Sequence, residues 1–431
     1  MPKIHVAAGV LNQTPLDWEG NFQRIIRAIQ VAKDAGANLL CLPEMCLTGY
    51  GCEDQFFSPF TQQKAQESVH KLLDYSTDLV LLVGLPMTFE SQLYNVVAVL
   101  YQGKIQAYIP KQHLANEGLH YEARWFTAWP AGVRTRIDNI PFGDYRLGLG
   151  EITFGIEICQ DAWEGEKRPA HALGKRGVSF ICNPTASHFS FGKSKVRQQL
   201  AIEGADIIQG GYVFANLLGN ESGRTIFDGD AYIAQNGHIL VQTKRFSFQD
   251  AQVIAYRLDV PGYPAEADDL VSLGEMKGKN AILINPVLDA WETSSSIKEE
   301  EFARSIALGL WDYMRKSFSN GYVISLSGGA DSSAIASLCA TAVHLAVVEL
   351  GWEAVQKRLA YIPWMNMCAN EADLVRQLMT TIYQGTGNSS AETRISAAAL
   401  AASIGTQHHE IEIDALVQGY RSLIESTIHR P

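Results

Sequence analysis

The apolar run Tyr322-Val323-Ile324 leads without a break into Ser325-Leu326-Ser327-Gly328-Gly329-Ala330-Asp331-Ser332-Ser333, and few folds can hold that order. A strand that ends in small residues and re-enters as a helix gathers backbone N–H groups into a nest, which suits a pyrophosphate. A strand feeding a helix in this way predicts an α/β layer, with the ligand at the carboxyl end of the strand. The glycines let backbone amides approach phosphate oxygens. The Ser327, Ser332 and Ser333 hydroxyls can donate to them, and Asp331 can carry Mg2+, which prefers oxygen ligands. The GK[ST] ending of a Walker loop is missing. The plainer alternative is a serine-rich turn at a helix N-cap.

A chain of 431 residues is too long for one ordinary core, so two or three domains are expected. With 47% hydrophobic and 19% charged residues it has a globular composition. Net charge is −11 and no long basic stretch stands out, which argues against a nucleic-acid partner. The seven cysteines, Cys41, Cys46, Cys52, Cys159, Cys182, Cys339 and Cys368, are odd in number and lack CxxC spacing. That pattern fits a reducing cytosol better than a disulfide framework. The apolar run Leu79–Leu85 is far shorter than a membrane span, and Met1–Ala8 has no signal-peptide pattern, so a cytoplasmic protein off the membrane is expected.

Residues 1–275 alternate short apolar runs with helical patterns. Strands are predicted at His5–Val10, Leu39–Leu42, Leu79–Leu85, Thr153–Ile158, Val178–Cys182 and Val213–Asn216. Helices are predicted at Phe22–Ala35, Ser68–Tyr75 and near His171–Arg176. Hairpins are predicted around Gln102-Gly103-Lys104 and Asn236-Gly237. Hairpins mixed with strand–helix units predict a layered α/β domain with a mixed sheet. Residues 276–299 lose the period and read as a linker. From residue 300 an amphipathic helix, the strand Tyr322–Ser325, a helix Ser333–Leu345, strands near Arg358–Ile362 and at His408–Ile413, and a helix Ala415–Ile428 are predicted. Ser389 and Glu392 fit a capping box.

Three residues sit just past strand ends in the first region: Glu44, Lys111 and Cys159. Singly each has a bland reading, as a solvated carboxylate, a surface charge and a small buried hydrophobe. Together they are chemically competent. A thiol is mostly protonated at neutral pH, a carboxylate can take its proton, and an ammonium can hold the thiolate and a later oxyanion.

The words around them resemble the three motifs of the nitrilase (carbon–nitrogen hydrolase) superfamily, in the family's order: Leu42-Pro43-Glu44-Met45-Cys46-Leu47-Thr48-Gly49-Tyr50, Pro110-Lys111-Gln112-His113-Leu114 and Glu157-Ile158-Cys159-Gln160-Asp161-Ala162-Trp163. The resemblance covers roughly residues 1–270. It implies an αββα sandwich with Glu44 as general base, Lys111 as oxyanion stabiliser and Cys159 as nucleophile. By the same resemblance Glu122 is the second, assisting glutamate, and the Gln160 backbone N–H completes the oxyanion hole. Glutaminase-type members often carry Glu after the nucleophile; here it is Gln160, so a side-chain charge contact to a substrate amine is lost. Tyr50, Ser187 and Lys193 are the matching candidates for gripping glutamine. The aromatic residue expected shortly after the lysine is replaced near Glu117.

Residues 325–333 resemble the SGGxDS loop of N-type ATP pyrophosphatases, implying an adenine nucleotide alpha-hydrolase-like domain, a doubly wound parallel sheet. A nitrilase-type half followed by this loop resembles the glutamine-dependent NAD+ synthetase family. The resemblance implies that ATP with Mg2+ adenylates the carboxylate of deamido-NAD+ and that ammonia made from glutamine displaces AMP. It also implies a homo-oligomer. A doubly wound domain should need more strands than those predicted after residue 300, so residues 300–431 are expected to be the N-terminal part of the synthetase domain in a fragment of a longer protein. The alternatives are an ATP-dependent amidotransferase acting on a different carboxylate, and a non-catalytic nucleotide-binding or assembly module.

Overall fold

Strand Lys3–Leu11 is buried along nearly its whole length, which is why its sequence shows no polar–apolar alternation. It lies in an eight-stranded sheet of order Ala251–Asp259, Lys3–Leu11, Leu39–Cys41, Val80–Phe89, Gln92–Tyr101, Lys104–Pro110, Ile140–Gly143 and Arg134–Ile137. A seven-stranded sheet runs His238–Gln242, Ala231–Gln235, Gly211–Ala215, Phe180–Pro184, Ile152–Ile156, Arg146–Leu149 and Leu270–Ser272. Helices Trp18–Asp34 and Pro59–Leu72 pack on the first sheet, Lys193–Ile208 packs on the second, and the central strands of the two sheets touch each other. This is an αββα sandwich with parallel strands at the centre and antiparallel hairpins outside. The computed structural model describes residues 1–221, 223–264 and 267–428.

The chain divides into two compact units, Met1–Lys298 and Glu299–Pro431. The stretch read from sequence as a linker, 276–299, is held on the first unit up to Glu292. Lys277 and Lys279 bond to Asn38 and the Ala37 carbonyl, Ile284 bridges Ala255, and Glu292 pairs with Arg245 at 2.9 Å. Its polar, aperiodic sequence hides contacts made by backbone and charge rather than by an apolar stripe.

The second unit builds a three-stranded parallel sheet from Tyr322–Ser325, Met379–Gly385 and Gln407–Glu412. The predicted strand near Arg358–Ile362 is not there. That stretch is the end of helix Trp352–Arg358 and a turn, with Leu359 and Ile362 buried and the Tyr361 hydroxyl donating to the Ser319 carbonyl at 3.0 Å. The strand is supplied instead by the β-branched and aromatic run Thr380-Thr381-Ile382-Tyr383. Helix Ala391–Ile404 is capped by Ser390, not Ser389, whose hydroxyl accepts from the Thr386 N–H. Helix Ala330–Leu350 is long and apolar enough to cross a membrane by length and composition, yet Ala336, Leu338, Cys339, Ala342, Val343 and Ala346 are buried within the unit.

Candidate active site

Strand ends of the first sheet and of its neighbour bring three loops together. Leu39–Cys41 ends in the turn bearing Glu44, where Met45 adopts a φ of 51°. Gly84 lets the adjacent strand pass beneath this turn, since a Cβ there would lie 2.3 Å from the Met45 nitrogen. Lys104–Pro110 delivers Lys111, and Ile152–Ile156 delivers Cys159, whose φ of 44° is a strained value for a non-glycine residue.

Glu44, Lys111 and Glu122 are all 0% exposed. Lys111 Nζ donates to Glu44 Oε1 at 2.6 Å and to Glu122 Oε1 at 2.9 Å. Asn95 Nδ2 donates to the same Glu44 oxygen at 2.6 Å, while Glu44 Oε2 is buried without a hydrogen-bond partner. The Ala115 N–H and the Tyr50 hydroxyl hold Glu122, each at 2.8 Å. Burial raises the Glu44 carboxyl to about 7, with Lys111 working against that rise and Glu122 adding to it. Burial also works against the Lys111 ammonium, but the charges of Glu122 and Glu44 hold it above the usual lysine range. The Cys159 thiol is pushed well up by burial and by Glu44, partly offset by Lys111. It rests as a thiol beside a carboxylate of unusually high basicity.

Asp161 ties the Cys159 loop to the Lys111 loop. Its Oδ1 accepts from the Gln112 and His113 N–H groups at 3.2 and 2.7 Å, and its Oδ2 accepts from the Ile158 N–H at 2.8 Å. Cys159 opens onto a cavity of about 800 Å³ whose wall includes Gln160, Ser187, His188, Lys193 and Glu164. Ser187 is fixed by Asn216, which accepts its N–H and donates to its carbonyl, and Arg197 donates to the Ser187 hydroxyl at 3.4 Å and to the His188 carbonyl at 3.3 Å. Lys193 lies over the Trp163 ring at 5.5 Å, and burial holds its ammonium below the ordinary lysine range. Tyr50 is not in this wall. It lines a neighbouring cavity of about 280 Å³ with His120 and reaches Lys111 through Glu122.

The Gln160 side chain turns away to donate to Glu164 Oε1 at 2.9 Å. Glu164 therefore places a carboxylate in the cavity, and Glu117 places another. Sequence reading missed Asn95, Asp161, His120, His188 and Glu164. Asn95 left no local signal, since it meets Glu44 only through the pairing of distant strands. The other four lay inside or beside the motif words.

In the second unit, the residues of 325–333 fall between strand Tyr322–Ser325 and helix Ala330–Leu350. Gly328 has a φ of 78°, and a Cβ on it would lie 2.1 Å from the Thr393 carbonyl oxygen. The Ser327 and Ser332 hydroxyls meet at 3.1 Å, and Ser333 donates to the Gly329 carbonyl at 2.7 Å. Ser325 donates to Gln384 at 2.9 Å. Leu326 is buried with its N–H bonded to the Ile382 carbonyl, which leaves it no free donor for a phosphate, and the Ser327 N–H meets the Ser332 hydroxyl at 3.2 Å. Ala330 and Asp331 open the helix at the surface. Among the described residues no group of three or more His, Cys, Asp or Glu could hold a metal ion.

A thiol, a carboxylate and an ammonium at converging strand ends of an αββα sandwich define a carbon–nitrogen hydrolase, and the family model for carbon–nitrogen hydrolase matches residues 5–260. The NAD synthase model matches residues 302–430. The chain is 36% identical to a solved glutamine-dependent NAD+ synthetase from Cytophaga hutchinsonii, with a TM-score of 0.83, over 100% of this chain and 68% of that one. On these grounds the chain belongs to the glutamine-dependent NAD+ synthetase family. The mouse glutamine-dependent NAD+ synthetase is 33% identical over 96% of this chain, which spans 62% of the mouse protein's length. The solved glutamine-dependent NAD+ synthetase of Acinetobacter baumannii, in complex with ADP, shares the fold at 21% identity and a TM-score of 0.71, over 99% of this chain and 68% of that one.

Proposed function

We propose that the first unit is a glutaminase and that the second belongs to the ATP-using part of an NAD+ synthetase, which amidates deamido-NAD+ to NAD+. The observation that carries this reading is the buried Glu44–Lys111–Glu122 set, with Glu44 Oε2 left unpartnered beside a cysteine that opens into a cavity.

In this reading Glu44 takes the Cys159 proton as Sγ attacks the amide carbon of glutamine. Lys111 and the Gln160 N–H stabilise the oxyanion, and Glu44 then returns the proton to the departing ammonia. Water, activated by the same carboxylate, hydrolyses the thioester and releases glutamate. Glu122 keeps Lys111 in place. Lys193 and Ser187 take the α-carboxylate of glutamine, and Glu164 takes its α-ammonium, a charge-to-charge contact that the neutral Gln160 side chain cannot make. Tyr50 contributes through Glu122.

ATP binds at 325–333, through backbone amides of the Ser327–Ala330 turn and the Ser327, Ser332 and Ser333 hydroxyls. Its α-phosphorus accepts the carboxylate of deamido-NAD+, pyrophosphate leaves, and ammonia displaces AMP. Asp331 offers Mg2+ a single hard oxygen ligand, which suits an ion held chiefly by phosphates and water and supplying charge neutralisation to them. The reading extends to a homo-oligomer, as the family resemblance implies, and to a cytoplasmic location, which rests on the cysteine pattern.

Incubation with glutamine and measurement of glutamate tests the glutaminase. Release by the wild type and none by Cys159→Ala is expected. A wild-type protein that releases no glutamate would overturn the reading.

A further inference from the structure

An unbroken line of hydrogen bonds joins Lys193, a cation in the cavity wall, to Glu122, which holds Lys111. Lys193 Nζ lies 3.4 Å from His188 Nδ1, and that same nitrogen lies 2.8 Å from His120 Nε2. His120 Nδ1 lies 3.1 Å from the Tyr50 hydroxyl oxygen, which donates to Glu122 Oε1 at 2.8 Å. Neither histidine is explained by the hydrolytic chemistry above.

Proton counting limits what this line can do. Burial pushes His120 and His188 each down to about 4, with Glu122 working against it at His120 and Lys193 adding to it at His188, so both rings are neutral near pH 7. A neutral imidazole has one N–H and one bare nitrogen, and an ammonium can only donate. While Lys193 points at His188 Nδ1, that nitrogen is bare. His120 then presents Nε2–H to it, its own Nδ1 is bare, and it competes with Glu122 for the single Tyr50 proton. Once Lys193 turns to an anion in the cavity, His188 can carry its proton on Nδ1. His120 then accepts at Nε2 and donates from Nδ1, and the Tyr50 proton is committed to Glu122. Each ring carries one N–H and Tyr50 one O–H in both arrangements, so no net proton is gained or lost.

We propose that Lys193, His188, His120 and Tyr50 form a carboxylate-sensing relay: an anionic group of the substrate at Lys193 sets the imidazole tautomers so that Tyr50 locks Glu122, and through it Lys111, for the oxyanion. His188 and His120 are positioning residues in this scheme. The relay makes an amide with a distal carboxylate react faster than a neutral amide of the same reach, beyond any difference in binding. It rests on the glutaminase reading and specifies how that site chooses its substrate.

The test uses Cys159→Ala protein labelled with 15N at histidine. His188 Nδ1 is expected to resonate as a bare nitrogen in the free protein, to become an N–H nitrogen on saturation with glutamine, and to stay bare with butyramide. In the otherwise wild-type enzyme, His188→Phe is expected to lower kcat for glutamine by about tenfold or more with KM changed less than about threefold, and His188→Asn, which keeps a polar group near Nδ1, is expected to recover most of that loss. Glutamine that binds without altering the histidine nitrogens would overturn the relay alone, as would a His188→Phe defect lying wholly in KM. Failure of Cys159→Ala to bind glutamine at all would overturn the glutaminase reading and the relay with it.

Discussion

The two units handle charge in opposite ways. In the first, Glu44, Lys111 and Glu122 are withdrawn completely from water and each is gripped by fixed partners. In the second, Ser327, Gly329 and Asp331 lie at the surface, and the hydroxyls of the loop bond to one another and to the loop's own backbone. A hydrolase needs preorganised dipoles and charges, because reorganising them during the reaction would raise the barrier. The anion nest proposed for 325–333 needs only correctly curved backbone, which Gly328 provides by lying against Thr393, and its hydroxyls could swing from one another to a phosphate.

The sharpest way to break this comparison is to show that the units do not act separately. Cys159→Ala is expected to lower glutamate release on the order of 10⁴-fold or more, and to leave ammonia-driven amidation intact. Loss of both activities would refute separable sites. Lys111→Ala comes next, with an expected fall of roughly 10²–10³-fold in kcat, because the oxyanion loses its cation. That variant also leaves two buried carboxylates unpaired and should lose about 3–5 kcal/mol of stability in urea denaturation. A Lys111→Ala protein as stable as the wild type would mean that the buried charges are not held as the preorganised set described. By contrast, Asp331→Ala should leave stability and glutamate release unchanged and lower ATP turnover about tenfold or more, since the exposed side chain proposed to hold Mg2+ would act only when nucleotide is present.

The sequence made the two regions unequally legible for the same reason. Chemistry that sits in contiguous words could be read: Glu44, Lys111 and Cys159 each lie in a short motif past a strand end. What folding brings from a distance could not. Asn95 reaches Glu44 across paired strands, and the buried Arg197 that holds Ser187 and His188 lies on helix Lys193–Ile208. That helix escaped the periodicity reading because its buried face carries Ser194, Arg197 and Gly204 among its alanines. The strand Met379–Gly385 is absent from the sequence reading and Arg358–Ile362 is read as a strand, because a short apolar run cannot by itself be told from the end of a helix.

A smaller effect sharpens the account of specificity inside the first unit. Glu164 faces the cavity while Gln160 is engaged with it, so Glu164→Gln is expected to raise KM for glutamine roughly tenfold with little change in kcat. Glutaramate, which keeps the amide and the carboxylate but lacks the amine, should show no such change. An equal loss with both substrates would place the α-ammonium elsewhere.

The subtlest test concerns how the buried carboxylate is tuned. In the proposed reaction Glu44 must be ionised to take the thiol proton, so with its pKa at about 7 the rate of glutamine hydrolysis should rise with pH through that value and fall about tenfold per unit below it. The Asn95 hydrogen bond favours the ionised form, since Nδ2 donates to Glu44 Oε1. Asn95→Ala should therefore move the acid limb of kcat/KM to higher pH, while the plateau falls less than in Lys111→Ala. The same limb read in Asp331→Ala should stay where it is in the wild type, because burial, Lys111, Glu122 and Asn95 set the Glu44 carboxyl. An acid limb that moves to lower pH in Asn95→Ala, or does not move at all, would mean that the titrating group is not Glu44.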